Sequence, residues 1–150
     1  MAVRYLHRRE HSAAELYTKL RQKGAESTAI YTVIELCQQE GWQCNKRFTS
    51  MWLRNCYHKG QGLQKVRYQL EAEHQVPSLV VQEVLAELSL DWYALAENVI
   101  RKKYPAFFDP EIAKSSCIDR TLLQRKAYRF LAMRGFDTDT ISSVLCNTPL

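Results

Sequence analysis

The chain has 150 residues, of which 46% are hydrophobic and 25% are charged, with only five Gly and four Pro. That hydrophobic share is enough for a buried core and excludes an intrinsically disordered chain. The scarcity of Gly and Pro favours helices over a turn-rich β-fold. The net charge of +5 indicates an acidic or polyanionic partner, because a positive field concentrates such partners near the protein.

The cysteines and the N-terminus narrow the class of protein further. Cys37, Cys44, Cys56, Cys117 and Cys146 are widely spaced and form no CxxC pair or zinc-finger pattern, so we expect reduced thiols and no metal or other cofactor. The polar start MAVRYLHRREHS is unlike a signal peptide. No apolar run approaches the roughly 18 to 20 residues of a membrane span. We therefore expect a cytoplasmic protein without a membrane partner.

The first predicted helices form a pair between residues 12 and 39. Ser12 and Glu15 have the spacing of a capping box, which begins a helix. Gly24 ends that helix, because the left-handed closing conformation costs least in glycine. The second helix carries Ile30 and Ile34 on its apolar stripe.

The same spacing returns near the end of the chain. The first copy has Leu16, Leu20, Gly24, Ile30, Val33 and Ile34, and the last copy has Ala127, Leu131, Gly135, Ile141, Val144 and Leu145 at the same offsets. A weaker middle copy starts at Val66 and Leu70, has His74 at the place of the glycine, and then runs one residue late. A helix pair cannot bury its apolar faces alone. We therefore predict third helices at about 46–58 and 91–103, capped by Asn45 and Asp91.

Two interruptions divide the predicted helices. KGQG at 59–62 and KKYPAFFDPE at 103–111, with its two prolines, both break helical structure. We predict an all-α fold of three tandem three-helix repeats at residues 1–58, 59–104 and 105–150, forming an elongated, curved molecule. The alternative is a set of ordinary amphipathic helices in one bundle.

Four stretches of the chain resemble the RecX family of recombination regulators along nearly its whole length. They are RREHSAAELYTKLRQKG, EGWQCNKRFTSMWLRNCYHKGQGLQKVRYQL, DWYALAENVIRKKY and QRKAYRFLAMRGFDTDTI. The resemblance implies three tandem three-helix repeats. It also implies a modulator, usually an inhibitor, of the RecA recombinase in DNA recombination and repair. Such a protein lies in the groove of the RecA filament and limits its extension, ATP hydrolysis and strand exchange, with weak direct DNA binding in some members.

The chain departs from the family pattern at two places. Cys44 and Asn45 stand where an acidic pair is common, although Asn45 retains the ability to cap a helix. His74 replaces the usual closing glycine, and a non-glycine residue enters the left-handed conformation at a cost of roughly 1 kcal/mol.

Basic residues supply the candidate partner-binding surface. Residues 1–50 have a net charge of +3, residues 51–100 of −2 and residues 101–150 of +4. Arg125 and Arg129, and more loosely Lys126, share one helix face, where their side chains suit phosphate or carboxylate groups. The residues predicted to bind RecA or DNA are Arg47, Arg54, Lys59, Lys65, Arg67, Arg101, Lys102, Lys103, Arg125, Lys126, Arg129 and Arg134. Scattered, solvated surface charge is the alternative interpretation.

No catalytic signature is present, and we predict that the chain is not an enzyme. HExxH and GxSxG are absent, and Gly60 and Gly62 lack the Walker lysine and hydroxyl, so they indicate a backbone turn. We expect the four histidines on the surface and Trp42, Trp52, Trp92, Tyr128 and Phe130 in the core. The alternative function is a sequence-specific helix-turn-helix-like DNA-binding regulator, which the neutral or acidic second helices disfavour. We expect a monomer that meets DNA weakly or through the filament.

Overall fold

The computed structural model describes residues 1–109, 111–112 and 119–147. Within these ranges the regular structure is helical and contains no strand, which confirms the all-α prediction. The helices are α1 (Ala2–Leu6), α2 (Ala13–Gln22), α3 (Ser27–Gln39), α4 (Asn45–His58), α5 (Leu63–Tyr68), α6 (Ser78–Leu88), α7 (Trp92–Lys103), α8 (Arg120–Arg134) and α9 (Thr138–Cys146). Pro110, Lys114 and Cys117 lie outside the described residues. None of the described helices has the length and apolar character needed to span a membrane.

The predicted glycine closures are present at the ends of α2 and α8. Gly24 has φ +87° and donates its N–H to Arg21 O at 2.9 Å. Gly135 has φ +89° and donates to Ala132 O at 3.0 Å. In both helices the next amide bonds back to the carbonyl five residues earlier, which is the Schellman motif. The first and last copies therefore share their closing geometry as well as their spacing.

The middle copy closes its first helix differently from the prediction. His74 was expected in the left-handed conformation, but it is right-handed with φ −95°, and Gln75 has the positive φ of +50° instead. A π turn, Gln69–Glu73, follows α5, and Val76 N–H bonds to Leu70 O at 2.9 Å, six residues back. The π turn accommodates the extra residue of this copy. The residue with the strained, positive φ is therefore Gln75, one position after His74.

The described chain divides into two compact units, with unit 1 formed by residues 1–55 and 67–89 and unit 2 by residues 56–66 and 90–150. In unit 1 a core forms among α1, α2 and α3. Its buried members are Ala2, Leu16, Leu20, Ile30, Ile34 and Cys37. Helix 46–58 was predicted to complete this pair, but the helix found in this core is α1. Five residues are too few to show a helical period, so α1 was missed.

In unit 2 the core lies among α7, α8 and α9, together with a 3₁₀ turn, Pro105–Phe107. Its buried members include Leu95, Ile100, Phe107, Leu123, Leu131, Ile141 and Val144. Here the third helix, α7, precedes the pair along the chain, as α1 precedes the pair in unit 1. The boundaries at residues 58 and 104, the count of three repeats and the elongated, curved shape stay predictions.

Side chains cap the first helix of the first pair and the second helix of the last pair. Ser12 Oγ accepts the Glu15 N–H at 3.0 Å, as the capping box predicts. Asp137 caps α9 by accepting the Thr140 N–H and hydroxyl, both at 2.8 Å. Partial burial on its own raises the pKa of Asp137, but the bonds from Thr140 favour the ionised form and bring the pKa below its ordinary value. This cap is therefore charged at neutral pH.

Candidate functional site

Three chain segments of unit 2 enclose a groove of about 330 Å³. The C-terminal end of α4, the second half of α7 and the end of α8 meet there. The lining residues are His58, Lys59, Gly60, Leu95, Asn98, Val99, Lys102, Lys103, Phe130 and Arg134. They include four of the basic residues predicted from the sequence and no acidic residue. We call this site the basic groove.

Close glycine contacts hold the segments of the basic groove together. Gly62 N–H donates to Arg134 O at 2.7 Å, and Gln64 N–H donates to Gly135 O at 3.0 Å. A Cβ atom on Gly62 would lie 2.3 Å from the backbone of Gly135 and Phe136, so only glycine permits this approach. The KGQG segment is a backbone turn, as predicted, and it docks against the end of α8.

Arg134 serves mainly to position the groove. Its Nη1 donates to Lys59 O at 2.9 Å and to Gly60 O at 3.4 Å. Its guanidinium also lies 5.2 Å from the centre of the Phe130 ring, within the range of a cation–π contact. Arg134 therefore satisfies carbonyl oxygens at the end of α4 while adding positive charge to the groove.

Lys59, Lys102 and Lys103 are the groove's available cations. All three are exposed, and no carboxylate among the described residues lies within ion-pair distance of them. Neighbouring Arg101 differs, because it pairs with Glu97 at 2.6 Å and stacks on the Phe108 ring at 4.1 Å. Uncompensated cations around a concave surface attract phosphate or carboxylate groups.

The outer face of α8 has the arrangement that the sequence predicted. Arg125, Lys126 and Arg129 are exposed, and the helix buries Ala127 and Leu131 on its opposite side. The six ion pairs of the described residues do not include these three cations. Leu122 and Met133 on the same side are 49% and 76% exposed. The face therefore combines positive charge with exposed apolar groups.

Two of the predicted binding residues in unit 1 are already paired. Arg47 Nε bonds to Glu10 Oε1 at 2.7 Å, and this carboxylate raises the pKa of Arg47. Arg67 pairs with Glu71 at 3.1 Å. Arg54 is exposed. Lys65 is also exposed but lies in unit 2, where its Cβ packs at Gly135. The binding of RecA or DNA by these residues stays a prediction.

Several burial predictions were wrong. His11 is only 3% exposed, and His74 packs against the rings of Trp52 and Phe48, with centroid separations of 4.3 and 5.0 Å. Burial lowers the pKa of both histidines. Trp42 and Tyr128, by contrast, are 47% and 42% exposed. Histidine and aromatic residues occur on both sides of helices, so residue type alone did not decide their environment. His58 and Asn98 in the basic groove had no sequence signal of their own.

The chain is similar to curated proteins named regulatory protein RecX. One, from Haemophilus influenzae, is 32% identical over 143 residues, covering 95% of this chain and 89% of the relative. Another, from Legionella pneumophila, is 35% identical with the same coverage. The family model described as RecX, first three-helix domain, matches residues 1–37, which contain α1, α2 and most of α3.

Solved structures show the same fold. The crystal structure of RecX from Lactobacillus salivarius superposes with a TM-score of 0.79 at 17% identity, covering 98% of this chain and 91% of that one. The crystal structure of another regulatory protein RecX gives a TM-score of 0.75 at 12% identity, covering 93% and 67%.

Fold and site together define an all-helical regulatory protein, and the relatives are named as regulators rather than enzymes. The basic groove has the character of a binding surface. The chain belongs to the RecX family, which confirms the resemblance seen in the sequence.

Proposed function

We propose that this chain inhibits the RecA recombinase by binding in the groove of the RecA–DNA filament, where it limits extension, ATP hydrolysis and strand exchange. Membership of the RecX family supports the choice of partner. The observation that carries the proposal is the basic groove, in which Lys59, Lys102 and Lys103 are exposed and lie near no acidic lining residue. In this role the groove and the outer face of α8 contact DNA phosphates or acidic groups of the filament.

Such a mechanism needs a matched surface and no active site. A filament presents the same groups at every subunit, so weak contacts made at several points add up to strong attachment. Each cation that neutralises a phosphate also releases bound counterions, which makes the attachment weaken as salt rises. A bound copy in the groove then occupies space that the incoming DNA strand needs, and strand exchange slows.

The alternative function, sequence-specific DNA recognition, gains no support from the helices that would enter a major groove. The second helix of each pair, α3, α6 or α9, contains no Lys or Arg. DNA-binding proteins that recognise base edges use Arg, Lys, Asn and Gln on the exposed face of such a helix. A binding assay separates the two functions, since a repressor prefers one DNA sequence, whereas the filament regulator binds better when RecA and ATP are present.

The direct test measures RecA-dependent ATP hydrolysis on single-stranded DNA while the purified chain is titrated in. We expect the rate to fall at amounts below one chain per RecA subunit. Arg125→Glu combined with Arg129→Glu should raise the concentration needed for half-inhibition, because the outer face of α8 then repels the filament. The matched control is Arg21→Glu with Lys23→Glu, the same charge change at two exposed positions of unit 1. An ATP hydrolysis rate that the wild-type chain leaves unchanged contradicts the proposal.

A further inference from the structure

A second and larger cavity lies in unit 1, alongside α2 and α3, with a volume of about 750 Å³. None of the basic residues predicted to bind RecA or DNA lines it. Its lining includes Ala13, Ala14, Tyr17, Tyr31, Glu35 and Gln38. We call this cavity the tyrosine groove. It lies in a different unit from the basic groove, and its chemistry is opposite.

The walls of the tyrosine groove are aromatic and acidic. Tyr31 is 64% exposed, and its ring lies 5.1 Å from the ring of Tyr17. The Tyr17 hydroxyl lies 2.9 Å from Ser27 Oγ, and this hydrogen bond holds the Tyr17 side chain in place. Glu35 is exposed and has no ion-pair partner among the residues that the structure describes. An exposed aromatic ring beside a free carboxylate is suited to a guanidinium group, which stacks on the ring and pairs with the carboxylate.

The charge around the groove decides between classes of occupant. Residues 24–45 contain three Glu and neither Lys nor Arg, although the chain as a whole carries +5. Among the lining residues the charged one is Glu35, whose carboxylate repels phosphate groups and so disfavours nucleic acid. The apolar side chains of Ala13, Ala14 and Ile34 leave room for an apolar side chain next to the cation. The occupant is therefore a protein segment that presents arginine and an apolar residue on one helix face.

The outer face of α8 has this composition. Arg125 and Arg129 stand on that face together with exposed Leu122 and Met133. Arg129 and Met133 are four residues apart, so their side chains are neighbours on the helix. Both faces are exposed in the single chain, and each has charges that no described partner neutralises.

We propose that the tyrosine groove of one copy binds the outer face of α8 of a second copy, with Arg129 stacked on Tyr31 and paired with Glu35. The two surfaces differ, so the contact is head to tail, and in the proposed assembly it repeats from copy to copy as an open chain or a ring. Dilute chains remain single, as the sequence predicts. The contact forms when copies are concentrated, and it competes with the filament for the outer face of α8. The proposal does not rest on RecA as the partner.

Sedimentation velocity over a concentration series at low salt tests this contact. We expect the average sedimentation coefficient of the wild-type chain to rise with concentration and to keep rising beyond the dimer value. Glu35→Lys and Arg129→Glu should each weaken the association by about tenfold or more, because each places like charges together in the interface. The matched controls are Glu40→Lys, at the C-cap of α3 and outside the groove lining, and Arg120→Glu, at the other end of α8. Both controls should associate like the wild type, and circular dichroism verifies that every variant is folded.

A mixture of the two variants tests whether the tyrosine groove of one copy binds the outer face of α8 of another. The Glu35→Lys chain keeps a working α8 face and the Arg129→Glu chain keeps a working groove, and Lys at 35 also meets Glu at 129, so an equimolar mixture should associate although each variant alone associates weakly. A chain carrying both changes should associate again, since Lys at 35 then meets Glu at 129.

Three outcomes would overturn the proposal. In the first, the wild-type chain stays single across the series; in the second, it stops at a symmetric dimer. In the third, Glu35→Lys leaves self-association unchanged but reduces inhibition of RecA, which identifies the recombinase as the occupant. The third outcome leaves the proposed RecA function standing, so the two hypotheses fail separately.

Discussion

Unit 1 and unit 2 contain nearly equal numbers of basic residues, ten and eleven, but unit 1 balances them with nine acidic residues and unit 2 with seven. The units differ more in how many of their basic residues form ion pairs than in these numbers. In unit 1, Arg9, Arg47, Lys46 and Arg67 all make ion pairs with glutamates. Among the described residues of unit 2, the ion pair between Arg101 and Glu97 is the single one found.

The difference shows that a count of basic residues does not locate a binding surface. Arg47 and Lys102 are both exposed cations in the sequence region of a family motif. A carboxylate already holds Arg47 at 2.7 Å, whereas Lys102 lines a groove without acidic residues. A partner's phosphate must displace the carboxylate in the first case and only water in the second. Availability of the charge, and not its presence, distinguishes the two units.

Replacement of a glycine by alanine is expected to give the largest difference between the units in the loss of folding free energy. A Cβ added at Gly62 in unit 2 would meet backbone atoms at 2.3 Å, whereas one added at Gly24 in unit 1 would meet nothing within 4 Å. We expect Gly62→Ala to destabilise unit 2 by about 3 kcal/mol through overpacking. Gly24→Ala should cost only about 1 kcal/mol, from its left-handed φ. Urea unfolding followed by amide hydrogen exchange in each unit measures both costs, and equal costs would contradict the tight docking of the KGQG turn.

Charge reversal in the basic groove is expected to have the next largest effect. Lys102→Glu with Lys103→Glu should raise the half-inhibitory concentration in the RecA ATPase assay about tenfold, or about 1.4 kcal/mol, since two free cations become repulsive. Arg47→Gln with Arg67→Gln, which removes paired cations, should change it less than twofold. Similar effects from the two double variants would show that ion pairing in unit 1 does not matter for binding.

The two helix caps should have equal strength at neutral pH but different pH dependence. Ser12→Ala in unit 1 and Asp137→Ala in unit 2 should each cost about 1 kcal/mol. The pKa of Asp137 is lowered in the folded chain. Its stabilising effect is therefore complete above the unfolded pKa and is lost as pH falls through the folded pKa. We expect the free-energy difference between wild type and Asp137→Ala to shrink from pH 7 toward pH 3, while the Ser12→Ala difference from unfolding curves stays constant.

The smallest expected effect concerns the residue that closes each first helix. Gln75 in unit 1 has φ +50°, and Gly135 holds the corresponding place in unit 2 with φ +89°. Gln75→Gly should stabilise unit 1 by less than about 1 kcal/mol, because relief of the left-handed strain is partly offset by the greater freedom of glycine when unfolded. Thermal unfolding detects the gain. A loss of stability would indicate that the Gln75 side chain contributes a contact that outweighs the strain.

Much of the local structure followed from the sequence. The capping box at Ser12, the closures at Gly24 and Gly135 and the spacing shared by α2 and α8 depend on contacts within a few residues, which a sequence pattern records directly. The one-residue delay after His74 was also visible in the sequence. Its resolution by a π turn, with strain at Gln75, was not, because several turn geometries accommodate one extra residue.

The amino-acid sequence by itself determined that this chain is helical, repetitive, basic and a member of the RecX family, because helical period, capping and family motifs are encoded in neighbouring residues. Tertiary structure decided which helices share a core, which glycines are crowded and which cations are free. Lys59, Lys102 and Arg134 are far apart in the chain and meet only through packing, while Arg47 loses its availability to Glu10, 37 residues away. Long-range contacts of this kind have no signature in local sequence, since any basic residue on a helix surface looks alike until its neighbours are in place.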